Sequence, residues 1–352
     1  MSDAVVAVEV KLVAVPLERP ITLSRGTITE REYALLRVRT ESGLEGAAIG
    51  YTRGLPLRQR LNELAPRLLG GDSAARLEGA DVRAASLVDI ALWDVAARRA
   101  ELPLWRLLGG AKPRVPILAV GGYFLEQRTV EDVEDELRGL AEQGYRHLKV
   151  HAHEPELVSR LRAAVPDGVD FSVDADMCWR DLDEASEACR RLEGLGLAFI
   201  EDPFPPDLPH LTRALAEAVE TPIAAGEDAA GRAALLELAA AADVLRVDAT
   251  ASGGIDAAVA AAEAADGKPV MTHAFVELHG QLAGGLDAIS LTETIPYDSG
   301  ANPVDVLLAE TQGVEDGQLV LSELPGHGLA FDWDAVARFS RTTDIHDIER
   351  RN

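Results

Sequence analysis

The rhythm of hydrophobic and polar positions changes near residue 115. Before it, residues 4–15 alternate loosely between apolar and polar, as does EYALLRVRT at 32–40, and SGL at 42–44 reads as a turn into GAAIG. Segments 57–71 and 82–100 then carry apolar residues at helical spacing, the first ending on paired glycines. This predicts an α+β region over 1–115. Beyond it, short apolar segments alternate with amphipathic, Ala-rich helical ones such as VEDVEDELRGLAEQG and GIDAAVAAAEAADG. The predicted strands are VPILAVGG, HLKVH, DFSVDAD, LAFIEDP, PIAAGED, VLRVDAT, PVMTHAF and AISLTET. Eight strands with interleaved helices predict a parallel β/α barrel, with a doubly wound open sheet as the competitor. No GxGxxG follows the first strand, which weakens a nucleotide-binding version of that competitor.

In a β/α barrel the chemistry gathers at the carboxyl ends of the strands. From the second strand onward those ends carry Lys149, Asp174, Glu201, Glu227, Asp248, His273 and Glu293. Their spacing is near-regular, each interval holding one strand, one helix and two short loops. A single carboxylate after a strand is often only a helix cap; seven polar residues in series at the same end are not explained that way. Asp174, Glu201 and Glu227 stand on consecutive strands and would repel one another without a cation. An all-oxygen set suits a hard divalent ion, Mg²⁺ before Zn²⁺. Lys149 and His151 share one face of their strand. Asp248 and His273 end neighbouring strands, and an aspartate beside a histidine fixes the tautomer a general base needs. His147, His153 and His279 read as loop or flanking residues.

Composition narrows the function. At 47% hydrophobic and 26% charged, global disorder is excluded. The formal net charge of −25 disfavours nucleic acid or an anionic membrane surface as partner. Two cysteines, Cys178 and Cys189, give neither a disulfide framework nor a cysteine zinc site. With no long apolar run and no cleavable leader pattern, a cytoplasmic protein acting on a small molecule is expected, as a homo-oligomer. Lysine is rare among the basic residues, which makes the placement of Lys149 conspicuous.

Seven segments together carry a family resemblance: ALWDVAARRAELPLWRLLGG, GYRHLKVH, SVDAD, FIEDP, AAGED, RVDATASGGI and MTHAF. The chain resembles the enolase superfamily, in its mandelate racemase-like subgroup. The resemblance implies a modified (β/α)7β TIM-type barrel (116–325) under an N-terminal α+β capping domain (1–115), with a C-terminal segment (326–352) packing back towards the cap. It further implies Asp174, Glu201 and Glu227 as Mg²⁺ ligands and the Asp248–His273 dyad as base. Lys149 becomes an electrophile or acid near the substrate carboxylate, and Glu293 a hydrogen-bond partner of the enediolate.

Departures from the subgroup pattern matter. Lys149-Val150-His151 stands where Lys-x-Lys is typical, so two-base racemisation is in doubt. Asp248 stands where muconate cycloisomerase-like members carry lysine, and Asp176 stands where asparagine is common. The polar segments TLSRGTITERE (22–32) and GYTRG (50–54) offer Arg25, Tyr51 and Arg53, with Asp176, as substrate-binding candidates for a hydroxylated or dicarboxylate acid. The expected reaction is dehydration of a sugar acid to a 2-keto-3-deoxy acid. The alternatives are racemisation or epimerisation of a 2-hydroxy acid and, more remotely, a non-catalytic metal-binding barrel.

Overall fold

The alternation at the start of the chain becomes one long hairpin in the computed structural model, which describes residues 3–23, 26–70 and 77–348. Strand β1 (Val5–Leu23) pairs antiparallel with β2 (Gly26–Thr40), and β3 (Glu45–Tyr51) follows on β2. The hairpin runs further than the sequence pattern predicts. Residues 22–32 read as a polar loop, yet Ile21 pairs with Ile28 and Leu23 with Gly26. The register lapses between Pro16 and Ile21, because a segment with Pro16 and Pro20 lacks the N–H groups a continuous ladder requires. Helices α1 (Leu57–Leu68) and α2 (Val82–Arg99) pack on this sheet. Contact between β3 and α2 is close enough that a Cβ on Gly46 would lie 2.1 Å from the Ala91 carbonyl oxygen. Asp81 caps α2 by accepting from the backbone N–H groups of Arg83 and Ala84.

The short helix α3 (Leu104–Leu107) leads into a closed barrel of eight parallel strands. These are β4 (Arg114–Gly121), β5 (His147–His151), β6 (Asp170–Asp174), β7 (Ile200–Glu201), β8 (Ile223–Ala225), β9 (Val244–Val247), β10 (Val270–Thr272) and β11 (Ile289–Thr294). They pair in chain order, and β11 returns to β4 through Thr292–Thr294 against Ile117–Ala119. The intervening helices are α4 (Val130–Glu142), α5 (Pro155–Ala164), α6 (Leu182–Leu192), α7 (Pro209–Ala218), α8 (Arg232–Ala241), α9 (Gly254–Ala264) and α10 (Val276–Gly285). Seven helices for eight strands is the (β/α)7β pattern. Strands covered on both faces need no alternation, and every residue of β8 and β9 is buried. Arg246, inside β9, is the charged exception.

After the barrel, the hairpin Val314–Glu315/Gln318–Val320 adds to β4. A helix, Trp333–Phe339, then delivers the strand Ser340–Asp347, which pairs antiparallel with β1. The cap sheet is therefore built from both ends of the chain. Arg58 reinforces the join by donating through Nε (2.7 Å) and Nη2 (2.9 Å) to the Asp344 carboxylate. Among the described residues no helix is long and apolar enough to cross a membrane.

Candidate active site

A cavity of about 490 Å³ opens between the cap hairpin and the carboxyl ends of the barrel strands. The barrel brings the seven sequence-singled residues beneath it. Asp174 and Glu201 end β6 and β7 and are direct register partners. Glu227, Asp248 and His273 follow β8, β9 and β10 by one or two residues, and Glu293 lies within β11. Lys149 lies inside β5, where the sequence pattern places it after the strand. Its ammonium is fully buried, 2.8 Å from Glu201 Oε1, 3.2 Å from Asp174 Oδ2 and 2.6 Å from Glu293 Oε2. Burial alone would lower the Lys149 pKa, but Glu201, Glu293 and Asp174 outweigh it and hold the ammonium well above its usual range.

His273 is oriented as a base should be. Its Nδ1 donates to Asp248 Oδ2 at 2.9 Å, which leaves the Nε2 lone pair 3.5 Å from Glu227 Oε1. Burial would lower its pKa, yet Glu227, Asp248 and Glu293 raise it overall. Asp248 Oδ1 in turn accepts from the Thr250 backbone N–H and hydroxyl, both at 2.7 Å. Behind it lies His279, which sequence reasoning assigns to a flank. The structure corrects this: His279 is fully buried in α10, donating through Nδ1 to the Ala274 carbonyl and accepting from the Ala249 N–H at Nε2. Burial holds its pKa below the usual value, so it backs the dyad as a neutral spacer.

The opposite wall holds His151. Its Nδ1 lies 3.4 Å from Asp174 Oδ2, and its Nε2 is 3.3 Å from the Tyr123 hydroxyl, with the rings 5.2 Å apart. Asp176 borders the cavity and donates its backbone N–H to Asp174 Oδ1. Tyr51 lines the same space, its hydroxyl donating to Asn302 Oδ1 at 2.7 Å. Arg53 also reaches the cavity, but its guanidinium is committed to Asp228 and, at 3.3 Å, to Glu227. Arg25 lies outside the described residues.

Two residues that the sequence pattern does not single out complete the cluster. Arg246, with no exposed surface, places Nε 3.1 Å from Glu201 Oε1, Nη2 2.5 Å from Glu293 Oε2 and Nη1 3.1 Å from the Thr272 carbonyl oxygen. Asp202 is a further buried carboxyl, pushed well up by burial and by the charges of Glu227, Glu201 and Asp174. It also has a left-handed backbone, as do Asp176, Met177, Ala274 and Phe275 just beyond Asp174 and His273. Such φ values are costly outside glycine, and here they gather at the strand ends that carry the polar cluster.

The donor set fits a hard cation in chemistry and charge. Glu201 Oε2 and Glu227 Oε2 are buried oxygens without a hydrogen-bond partner. Burial, with Asp174 and Glu293 adding to it, pushes Glu201 up to about 8 against the pull of Arg246 and Lys149. Among the described residues no three side chains already converge in ligand geometry, and Lys149 supplies the positive charge between Asp174 and Glu201.

Comparison with known proteins bears on the same residues. Residues 7–109 match the mandelate racemase / muconate lactonizing enzyme N-terminal domain, and 132–335 match the enolase C-terminal domain-like family. An arabinonate dehydratase of Saccharolobus solfataricus is 30% identical over 71% of this chain and 70% of its own length. A 3,6-anhydro-alpha-L-galactonate cycloisomerase of Streptomyces coelicolor is 30% identical over 95% of this chain and 98% of its own. The solved L-talarate dehydratase of Polaromonas sp. JS666, complexed with Mg and L-glucarate, superposes with a TM-score of 0.88 at 26% identity, covering 98% of this chain and 100% of that one. Dehydratases and isomerases thus both stand among the relatives, and the chain itself belongs to the enolase superfamily, with a mandelate racemase-like cap and barrel.

Proposed function

We propose that the protein is a Mg²⁺-dependent sugar-acid dehydratase, in which His273 removes the proton α to a carboxylate and a β-hydroxyl then leaves as water. The observation that carries this reading is the His273–Asp248 pair at 2.9 Å, set beside three buried carboxylates on neighbouring strands. Asp174, Glu201 and Glu227 would hold the cation. When bound, it would stabilise the negative charge that develops on the substrate carboxylate as the α-proton departs. Lys149 adds a fixed positive charge on the same side. Arg246 and Lys149 hold Glu293 ionised: burial raises its pKa, but the two cations bring it down to about 2. In this arrangement Glu293 fixes Lys149.

The elimination balances within the chain's own groups. The C–H pair moves into the enediolate and the proton goes to His273 Nε2. The C–O bond at the β-carbon breaks as the hydroxyl takes up a proton, and water leaves. The enol becomes a 2-keto-3-deoxy acid. His273, or His151 across the cavity, supplies the proton. A racemase or epimerase would instead need His151 as a free second base. The Tyr123 hydroxyl lies 3.3 Å from its Nε2 and Asp174 Oδ2 lies 3.4 Å from its Nδ1, so both ring nitrogens already face a polar atom.

The test is a screen of sugar acids with Mg²⁺ for keto-acid product, with two variants. Glu201→Gln should weaken Mg²⁺ binding in calorimetry and abolish turnover. His273→Asn should keep Mg²⁺ affinity and lose exchange of the α-proton with deuterated solvent by about 10²–10⁴-fold. Rapid interconversion of hydroxy-acid enantiomers, with no keto acid from any substrate, would replace this reading with racemisation.

A further inference from the structure

Among the described residues, four side chains able to carry positive charge line the cavity: Arg31, Arg53, His151 and His273. Three already face a carboxylate. Arg53 is paired with Glu227 and Asp228, His273 with Asp248, and His151 lies between Asp174 and Tyr123. Arg31 is different. Its Nε donates to the Ala301 carbonyl oxygen at 2.9 Å, and its guanidinium carbon lies 5.4 Å from the centre of the Tyr51 ring. Among the described residues no carboxylate stands within 4.0 Å of it.

This is not for want of acids nearby. Glu30 and Glu32 flank Arg31 in β2 and border the same cavity, but alternation turns their carboxylates away from Arg31. Arg341 reaches both, at 2.5 and 3.7 Å, and Glu32 also accepts from the Thr52 hydroxyl at 2.8 Å. In a chain with 59 acidic residues, Arg53 and Arg246 both take carboxylates, and Arg31 takes none. It is also held in place. Ala301 precedes Asn302, whose Oδ1 accepts from the hydroxyls of Tyr33 (3.0 Å) and Tyr51 (2.7 Å). The Tyr51 ring, seated between them, lies 6.4 Å from the His273 ring. Tyr51 thus neighbours both Arg31 and the base.

We infer that Arg31 binds a second, distal carboxylate of the substrate, which makes the substrate class a sugar diacid and not a sugar monoacid. The inference rests on the dehydratase reading for the position of the reacting end. That end lies at Lys149 and the three carboxylates, and the polyhydroxy chain runs past Tyr51 to Arg31. A guanidinium anchored through Nε keeps its Nη groups for a carboxylate, in the paired geometry that lysine does not reproduce. A monoacid of the same length would leave that cation facing a neutral hydroxyl.

The experiment measures binding and turnover on the Mg²⁺-loaded protein, with aldarates paired against the aldonates of matching length and configuration. Wild type should favour the diacids by about 10- to 100-fold, the range expected for hydrogen bonds to a charged group. Arg31→Gln should lose that factor on diacids, in KM and in calorimetric affinity, and leave the monoacids within about threefold. Arg31→Lys should recover part of the loss. Unchanged monoacid binding also shows that the variants fold. Equal losses on both members of each pair, or a wild type without diacid preference, would overturn the inference. Should diacids bind in an Arg31-dependent manner without any keto acid forming, the dehydratase reading fails and the diacid subsite stands. Keto acid from monoacids with no diacid preference is the converse.

Discussion

At the scale of single residues, Lys149 and Arg246 each hold at least two of the cluster's buried carboxylates. Arg246 is the tightest case, because it serves Glu201 and Glu293 together from inside a strand. Breaking a buried pair from one side leaves an uncompensated charge, which typically costs about 3–5 kcal/mol. Arg246→Met should therefore lower unfolding stability by that order in denaturant titrations. Adding Glu293→Gln to Arg246→Met should recover part of it, since two adjacent groups couple. A cost below about 1 kcal/mol in Arg246→Met would show that the carboxylates find other partners. The sequence pattern made the seven residues legible because they recur at a near-regular interval at or near the carboxyl ends of the strands. Arg246 escaped because its neighbours Leu245 and Val247 read as ordinary strand, and an arginine between them reads as solvent-facing. In a barrel strand buried on both sides, no side chain faces solvent. His279 escaped for the related reason that α10 is buried almost all round.

At the scale of elements, cap and barrel meet where α2 touches the start of α9. Asp89 of α2 accepts from the Ile255 backbone N–H at 2.6 Å, one of the unpaired donors at that helix start. Gly254, at φ +86°, permits the approach, since a Cβ there would fall 2.1 Å from Asp89 Oδ2. Burial, with the neighbouring Asp256 charge, pushes Asp89 from an ordinary 3.8 up to about 7. Between those values the folded state holds a proton that the unfolded chain has released. The contribution is therefore fully present below the unfolded pKa and is lost as pH rises through the folded one. Asp89→Asn keeps an oxygen for Ile255 and removes the titration. Its stability should gain on wild type as pH rises from about 4 to about 7, as read by thermal melts across that range. Parallel curves would refute the assignment. The same scale explains what was misread in the cap. Periodicity detects β1 and β2 where alternation is clean, but Pro16 and Pro20 interrupt it, and pairing beyond them depends on contacts distant in sequence.

At the scale of the whole molecule, the barrel is built from consecutive neighbours and the cap is not. Removing residues 340–352 should expose the β1 edge from Ala7 to Val13, strip Arg58 and Asn62 of Asp344, and lower the melting temperature by at least about 5 °C. Light scattering should detect self-association through the freed edge; a monomeric truncation with an unchanged melt would mean that the C-terminal strand is dispensable. The closed barrel was legible from chain order alone, whereas the strand Ser340–Asp347 was legible only as a segment returning towards the cap, because its partner lies at the other end of the chain. That pairing also sets a timetable. During synthesis β1 emerges long before Ser340–Asp347. At typical elongation rates the delay is on the order of 15–60 s. Through that interval the nascent chain carries an open sheet edge, and the wall that holds Arg31 over the barrel mouth lacks the strand that supplies Arg341 to Glu30 and Glu32. A ribosome-bound chain can thus complete its barrel before the strand that closes the cap sheet has been made.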